Sequence, residues 1–375
     1  MLYTNPNIDR LPDIAELRDL LMQLQEHYPV LHKKPYEMDI ADKNRFVLTP
    51  LMGGNYSFKP NITRQGMLYH GVNHVKRQYY SDFYQLEEKD LKCEILKTEA
   101  FLLTAESHPL FCLLKDGIDL GGGKRFVVYN PIGLAACYGY KTPFIQLTSS
   151  LDTAIMYATT QITQRDGLRY LNDANDDKVG TLYVYDLYTT FSKIKGLASL
   201  GLQAFERPGR MQEFIYKIDK STNFNELRFV KGFTFRHDLE VEKKLLDEIY
   251  RPKRADIIST KMQEVYLTKA DGKVELPEDV LYRVASHDKW EKIKDEMSEC
   301  INFVENSLCR FQFNAGELGA ANLEQRWHRM VEQIVPTLPS DIRIIEKLME
   351  VPHNCQYRRY FDVSEWMEYL KKNNE

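Results

Sequence analysis

Short runs of aromatic and β-branched residues, separated by helical stretches, constrain the fold of this chain most strongly. Such runs are typical of strands, because these side chains fit a pleated, half-buried surface. Six of them predict strands at residues 67–69, 126–129, 144–148, 181–185, 213–218 and 228–235. Small and apolar residues at helical spacing interrupt the series at residues 150–163, after two serines of which either is suited to cap the helix. The middle of the chain is therefore predicted to mix helices and strands.

Helical spacing prevails at both ends of the chain. Between residues 12 and 27, apolar side chains recur at steps of three and four, which places Ile14, Leu17 and Leu21 on one face of an amphipathic helix. After about residue 237 the same spacing dominates again. Because 375 residues exceed the usual size of one domain, we predict three parts. They are an N-terminal helical segment at 1–60, an α+β domain at 61–255 and a helical C-terminal region at 256–375.

The composition excludes several classes of protein. A hydrophobic fraction of 43% with 23 Tyr and 18 Phe is typical of a globular chain and not of a disordered one. The net charge of -4 provides no basic excess for nonspecific DNA binding, although it leaves a local nucleic-acid patch open. The apolar stretches are too short for a membrane helix, and the first 30 residues show no apolar core of a secretory signal. We therefore expect a cytoplasmic protein without a membrane partner.

The cysteines and glycines give weaker signals. Six cysteines at positions 93, 112, 137, 300, 309 and 355 form no Cys-x-x-Cys pair and accompany no histidine cluster, so we expect reduced thiols and no metal site. The run from Gly121 to Arg125 lacks the spacing of a phosphate-binding P-loop, and no Ser or Thr follows its lysine. That run predicts a hairpin turn.

Residues 134–158 are the most informative stretch. They indicate a helix end, a glycine stop at Gly139, a buried strand, the hydroxyl series Thr148, Ser149 and Ser150, and a second helix. Hydroxyls at a strand-to-helix junction lie beside the free N–H groups of the helix, where they either hold a polar ligand or cap the helix. The pattern alone favours capping.

This stretch resembles the FRG domain, a bacterial family named for an aromatic-Arg-Gly motif. Tyr69, His70 and Gly71 stand where that motif is expected, with histidine in place of arginine. The family's Gln, His and Asp correspond here to Ala136, Cys137 and Gln146, so its polar chemistry is altered. The resemblance covers about residues 60 to 255 and implies a bacterial protein without implying a reaction. The matching positions of the central motif are Leu134, Ala135, Tyr138, Gly139, Thr142, Thr148, Ala154 and Ala158.

A second resemblance, to ADP-ribosyltransferases, does imply a reaction. In those enzymes a His or Arg, a hydroxyl element and a Glu come from three strands around NAD. Tyr69-His70-Gly71 looks like the first element, residues 147–150 look like the second, and Gln212-Glu213-Phe214 looks like the third. The resemblance implies a split β-sheet core, with NAD as substrate and ADP-ribose passed to a macromolecule or to water.

The roles of the candidate residues follow from the same resemblance. His70, flanked by Tyr69 and Gly71, would orient NAD, and Glu213 would hold the ribose 2′-hydroxyl as charge develops at the anomeric carbon. Gln212 competes with Glu213 for that role. Thr148, Ser149 and Ser150 would brace the cofactor, and the rings of Tyr138 and Tyr157 would stack on the nicotinamide.

Structural roles remain open for each of these residues. A histidine in a short strand is often a satisfied structural residue, and Glu213 could pair with Arg207 or Arg210 at a sheet edge. If these structural roles hold, the FRG-like domain is a nonenzymatic scaffold, and the helical C-terminal region recognises a protein or nucleic-acid partner. A metal-dependent hydrolase is less favoured, because the sequence shows no cluster of acids.

Overall fold

The structure of the protein is a computed structural model that describes part of the chain. The described residues are 11–26, 46–60, 66–73, 78–98 without 89, 92 and 96, 101, 114, 117–127, 131–162, 169–171, 179–187, 197–200, 208, 211, 213–250, 328, 331–332 and 342–350. They form an α+β fold that contains a six-stranded sheet, a four-stranded sheet and a two-stranded pair. The predicted boundary at 255/256 lies outside these residues, as does most of the predicted helical C-terminal region.

The six-stranded sheet is built from most of the strands that the sequence predicts. In spatial order its strands are β10 (Leu197–Ser199), β11 (Glu213–Lys217), β6 (Phe144–Thr148), β3 (Met67–Val72), β9 (Val179–Asp186) and β12 (Val230–Arg236). Every neighbouring pair is antiparallel. The observed strands lie within a few residues of the predicted ones, and β6 has the predicted bounds.

Alternation along the strands gives this sheet two buried faces. On the face that we call the helix face, Tyr69, Leu182 and Val184 pack beneath helices. On the opposite face, which we call the aromatic face, Leu68, Tyr183 and their neighbours pack against residues from loops. Because successive side chains in a strand point to opposite faces, the sheet separates Tyr69 from His70.

Among the described residues, three helices cover the helix face. They are α1 (Ile14–Glu26), α3 (Leu151–Thr159) and α4 (Leu239–Leu245), the last followed by a π-helical turn at Leu246–Tyr250. The helix α1 begins with a capping box, in which the carboxylates of Asp13 and Glu16 each accept from the other residue's backbone N–H. The helix α1 is also tied to β12, because the Arg236 N–H donates to the Pro12 carbonyl at 2.9 Å.

The helix α3 lies unusually close to the sheet. A Cβ atom added to Gly71 of β3 would come within 1.8 Å of the Ala154 carbonyl oxygen and within 2.7 Å of the Ala158 nitrogen. On the neighbouring strand, a Cβ atom on Gly180 would lie 3.0 Å from the Ala158 carbonyl oxygen. Two glycines beneath two alanines one helical turn apart therefore allow the backbones to touch. Both alanines are fully buried.

The helix α3 is shorter than predicted. It ends at Thr159, and Thr160–Ile162 form strand β7, which pairs with β8 (Arg169–Leu171). The hydroxyl of Thr159 donates to the Ile155 carbonyl at 3.0 Å, and that of Thr160 donates to the Met156 carbonyl at 2.6 Å. These bonds use carbonyls of the last turn, and two adjacent β-branched residues disfavour further helix.

The four-stranded sheet overturns part of the predicted organisation. Residues 46–60 were expected in a helical segment, but they form a hairpin whose second strand pairs in parallel with β5. The run from Gly121 forms the predicted hairpin turn, in which Asp119 pairs with Lys124. The strands of this sheet are β1 (Phe46–Pro50), β2 (Tyr56–Pro60), β4 (Ile118–Asp119) and β5 (Lys124–Val127).

Two more helices and two cysteines lie within the described part of the chain. Pro131–Cys137 form α2, and Ile342–Met349 form α5, which contacts β4. Cys137 is a free, buried thiol, as expected, but the expectation of a reduced thiol is wrong for Cys93, which is disulfide-bonded. Pairing of cysteines depends on their distance in the folded chain, which the spacing in the sequence does not reveal. No helix in the described ranges is long and apolar enough to cross a membrane.

Candidate functional site

The three segments nominated by the sequence lie on adjacent strands. The strand β6 has β11 on one side and β3 on the other. Thr148 of β6 is the register partner of both Glu213 in β11 and Tyr69 in β3. The Tyr69–Thr148 pair is the one register pair described between β3 and β6, whereas β3 pairs with β9 from Met67 to Val72. The register pairing of β3 with β6 is therefore much shorter than that of β3 with β9.

His70 lies on the aromatic face, where both of its ring nitrogens are engaged. Nδ1 donates to the Gln146 carbonyl of β6 at 2.6 Å, since a carbonyl oxygen can only accept. Nε2 lies 2.9 Å from the Tyr79 hydroxyl. The side chain is buried, with 7% of its surface exposed. The imidazole thus bridges β3 to β6 beside the point where their register pairing stops.

Aromatic rings enclose this histidine. The Tyr79 ring contacts it edge-on with centroids 5.0 Å apart, the Tyr183 ring stacks at 6.2 Å, and the Phe224 ring packs edge-on at 5.9 Å. Burial raises the pKa of the Tyr79 hydroxyl far above its ordinary value, and the negative charge of Asp82 raises it further. The hydroxyl therefore keeps its proton, and it donates to Nε2 when the imidazole is neutral and protonated at Nδ1.

The hydroxyl series at the end of β6 builds the junction with α3. The Thr148 hydroxyl is fully buried and donates to the Met211 carbonyl at 2.6 Å, while its oxygen accepts from the Ser150 N–H at 3.0 Å. The Ser150 side chain caps α3 by accepting from the Thr153 N–H at 3.2 Å. Ser149 lies between them, half-buried. Of the two serines considered for this role, Ser150 is the observed cap.

The aromatic side chains nominated for stacking lie in the interior. Tyr138 is fully buried and packs on Phe101 with ring centroids 5.1 Å apart. Tyr157 is also buried, and its hydroxyl donates to the Met211 sulfur at 3.0 Å. Gly71 lies against α3. A planar ligand would have to displace these contacts to stack on either tyrosine.

The structure brings some of the nominated residues together and separates others. Tyr69, Thr148 and Glu213 share one register row, but Gln212 lies outside the described residues. His70 is on the opposite face of the sheet from Tyr69, and its partners belong to the aromatic face. The His70 imidazole and the Thr148 hydroxyl therefore do not lie on the same face of the sheet.

Residues that the sequence did not nominate complete the surroundings of His70. Tyr183 is its register partner on β9, and Phe224 belongs to a short 3₁₀ helix at Phe224–Glu226. The side chain of Asn223 caps that helix and accepts from the Tyr79 N–H at 2.8 Å. Strand alternation indicates which face position 183 occupies, but nothing in the sequence links position 223 to position 79. Within the described residues, no group of three or more His, Cys, Asp or Glu side chains is arranged to hold a metal ion.

Comparison of the chain with protein-family models, with curated proteins and with solved structures finds no match.

Proposed function

We propose that the six-stranded sheet domain is a nonenzymatic interaction module whose interior serves the fold. The observation that carries this proposal is the engagement of His70. Its Nδ1 donates to the Gln146 carbonyl and its Nε2 faces the Tyr79 hydroxyl, both within hydrogen-bonding distance. Turning the imidazole toward a ligand would break both bonds and leave buried polar groups to be satisfied anew, at a cost of about 1–3 kcal/mol for each group.

The residues that carry the FRG resemblance support the same proposal. Gly71, Ala154 and Ala158 form the close contact between β3 and α3. Gly139 adopts a φ of 89° and ends α2 with an N–H that donates to the Ala136 carbonyl. The Thr148 hydroxyl makes two hydrogen bonds that stabilise the junction of β6 with α3. Each of these residue types has a packing or capping reason to be where it is, so the motif is explained without a reaction.

We favour a protein as the partner of this module over a nucleic acid. The chain carries a net charge of -4, which does not attract a phosphate backbone. Apolar side chains also reach solvent at the tip of the β1–β2 hairpin, where Met52 is 93% exposed and Leu51 is 45% exposed. Exposed aliphatic side chains on a structured turn are suited to contact an apolar surface of another protein.

The experiment that tests the proposal measures NAD turnover by the pure full-length protein. Nicotinamide release is followed by chromatography, and binding of NAD is followed by the shift in melting temperature. We expect no release above that of a buffer blank, and no shift at millimolar NAD. Nicotinamide release that is lost in Glu213→Gln but retained in Glu248→Gln, which changes a side chain that is 61% exposed, would overturn the proposal.

NAD-dependent ADP-ribosyl transfer is the second candidate, and one observation favours it. The strands that carry the histidine, the hydroxyl and the glutamate are neighbours in the order β11-β6-β3, and β3 meets β6 at one register pair. A sheet that opens beside that pair is the arrangement implied by the transferase resemblance. Under this candidate NAD enters where the strands diverge, and ADP-ribose passes to a macromolecule or to water. The assay above separates the two candidates.

A further inference from the structure

The junction between β12 and α4 contains a buried carboxyl group beside an imidazole. Glu242 of α4 is only 2% exposed. Its Oε1 accepts from the Asp238 N–H at 2.8 Å and lies 3.4 Å from Nδ1 of His237. Removing a carboxylate from water is costly unless it is paired or protonated. The charge state of this side chain therefore bears directly on the stability of the junction.

The same side chain helps to begin the helix. Asp238 caps α4 by accepting from the backbone N–H groups of Glu240 and Val241. Glu242 reaches back to the Asp238 N–H, so that both carboxylates serve the first turn, in the manner of a capping box. One turn further on, Leu245 packs into the core of the helix face, which α4 shares with α3. The start of α4 is thus held by a group that can change its charge.

Burial, more than any neighbouring charge, favours the protonated form of Glu242. Burial raises the pKa of Glu242 to about 7, the Asp238 N–H lowers it, and the negative charge of Asp238 raises it again. On the helices that share the helix-face core, Arg18 of α1 and Asp152 of α3 pair with each other at 2.5 Å. His237 is the cationic partner within ion-pair distance, when it is protonated.

We propose that the β12–α4 junction is a proton-sensitive clamp, in which the buried carboxyl of Glu242, placed between the Asp238 N–H and Nδ1 of His237, takes up a proton and thereby fixes the start of α4. In the protonated state the buried carboxyl keeps its bond to the Asp238 N–H without carrying a charge. In the ionised state the carboxylate is compensated by His237 when that imidazole is protonated. Because Leu245 and Tyr250 pack into the core of the helix face, a change at the cap reaches the packing of this segment as far as Tyr250.

The direction of the pH dependence follows from the two states of the carboxyl. The pKa of Glu242 is higher in the folded chain, at about 7, than its ordinary value of 4.5. Its contribution to stability is therefore fully present below pH 4.5 and is lost as the pH rises through 7. Each tenfold change in proton concentration across that window changes the unfolding equilibrium by up to tenfold, so the whole effect is on the order of a hundredfold.

The test compares urea unfolding of the wild type and Glu242→Gln between pH 4.5 and 8.5. Glutamine keeps the oxygen that accepts from Asp238 and cannot ionise. We expect the unfolding constant of the wild type, relative to that of the variant, to rise on the order of a hundredfold across the window. The control Glu248→Gln removes an exposed carboxylate of the same segment and should leave the wild-type profile unchanged. Parallel profiles for the wild type and Glu242→Gln would overturn the proposal.

A direct titration keeps the proposal testable if a variant unfolds. The carboxyl carbon of Glu242 is followed by NMR in the folded wild type and assigned by its loss in Glu242→Gln. We expect a midpoint well above the ordinary 4.5, and a further rise in His237→Gln, because that change removes the cationic neighbour. A midpoint at the ordinary value, or one that His237→Gln leaves unmoved, would refute the clamp.

Discussion

Substitution of Gly71 by alanine tests the close contact between β3 and α3. The added Cβ atom would lie 1.8 Å from the Ala154 carbonyl oxygen, where an ordinary contact needs 3.4 Å or more. The obstacle is helix backbone, so no side-chain rotation relieves it. The helix must instead move away from the sheet by roughly 1.5 Å, and the buried side chains on its inner face lose dispersion contacts over such a gap. Overpacking of a core typically costs about 1–3 kcal/mol, and a backbone obstacle belongs at or above the upper end of that range.

The measurement is urea unfolding followed by far-ultraviolet circular dichroism, with a thermal scan alongside. We expect Gly71→Ala to lower the free energy of unfolding by roughly 3 kcal/mol, which corresponds to a melting temperature lower by about 6–12 °C. The matched control is Gly122→Ala, because that glycine also lacks a side chain but has open space around it and a φ of 91°. Its cost is backbone strain alone, about 1–2 kcal/mol. A Gly71→Ala variant as stable as the control would refute the argument.

Two further substitutions test the polar contacts. Ser150→Ala removes the side-chain cap of α3 and should lower the free energy of unfolding by about 1 kcal/mol. Ser150→Asp should keep most of the wild-type stability, because aspartate can also cap a helix. No loss of stability in Ser150→Ala, measured by urea unfolding, would show that the cap contributes nothing. Tyr79→Phe removes the hydroxyl that faces Nε2 of His70 and should cost about 1–3 kcal/mol by the same method, more than Tyr80→Phe, whose side chain is only half-buried. A smaller loss for Tyr79 than for Tyr80 would contradict the assigned hydrogen bond.

The strands of the larger sheet were predictable because their side chains carry the information locally. The strand β6 is a mainly apolar segment that begins directly after Pro143 and ends at Thr148, the first of the hydroxyls that precede α3. Both of its bounds therefore follow from local sequence signals. The strand β4 contains only two residues, so it shows no periodicity. It exists because Lys124 and Arg125 lie opposite it. Elements of this kind are determined by pairing with distant segments, which a sequence read alone does not display.

The candidate site was predictable in its strands but not in its side-chain directions. Register depends on how the strands align, and a shift by one residue sends a side chain to the other face. His70 and Tyr69 are adjacent in sequence, yet their partners belong to different cores. The His70 imidazole forms hydrogen bonds with Gln146, which is 76 positions away, and with Tyr79. Tyr79 is held in turn by a hydrogen bond from its N–H to the Asn223 side chain. The sequence therefore indicated the right strands without indicating which side chains meet.

The single register pair between β3 and β6 also determines how the larger sheet yields. It divides the strands into two blocks of three, and within each block the neighbours share a longer ladder. Where the blocks adjoin, the His70 imidazole of β3 adds a side-chain hydrogen bond to the Gln146 carbonyl of β6. Force or thermal agitation should part the sheet along this seam first, because β3 and β6 share one register pair, whereas every other neighbouring pair of its strands shares three or more.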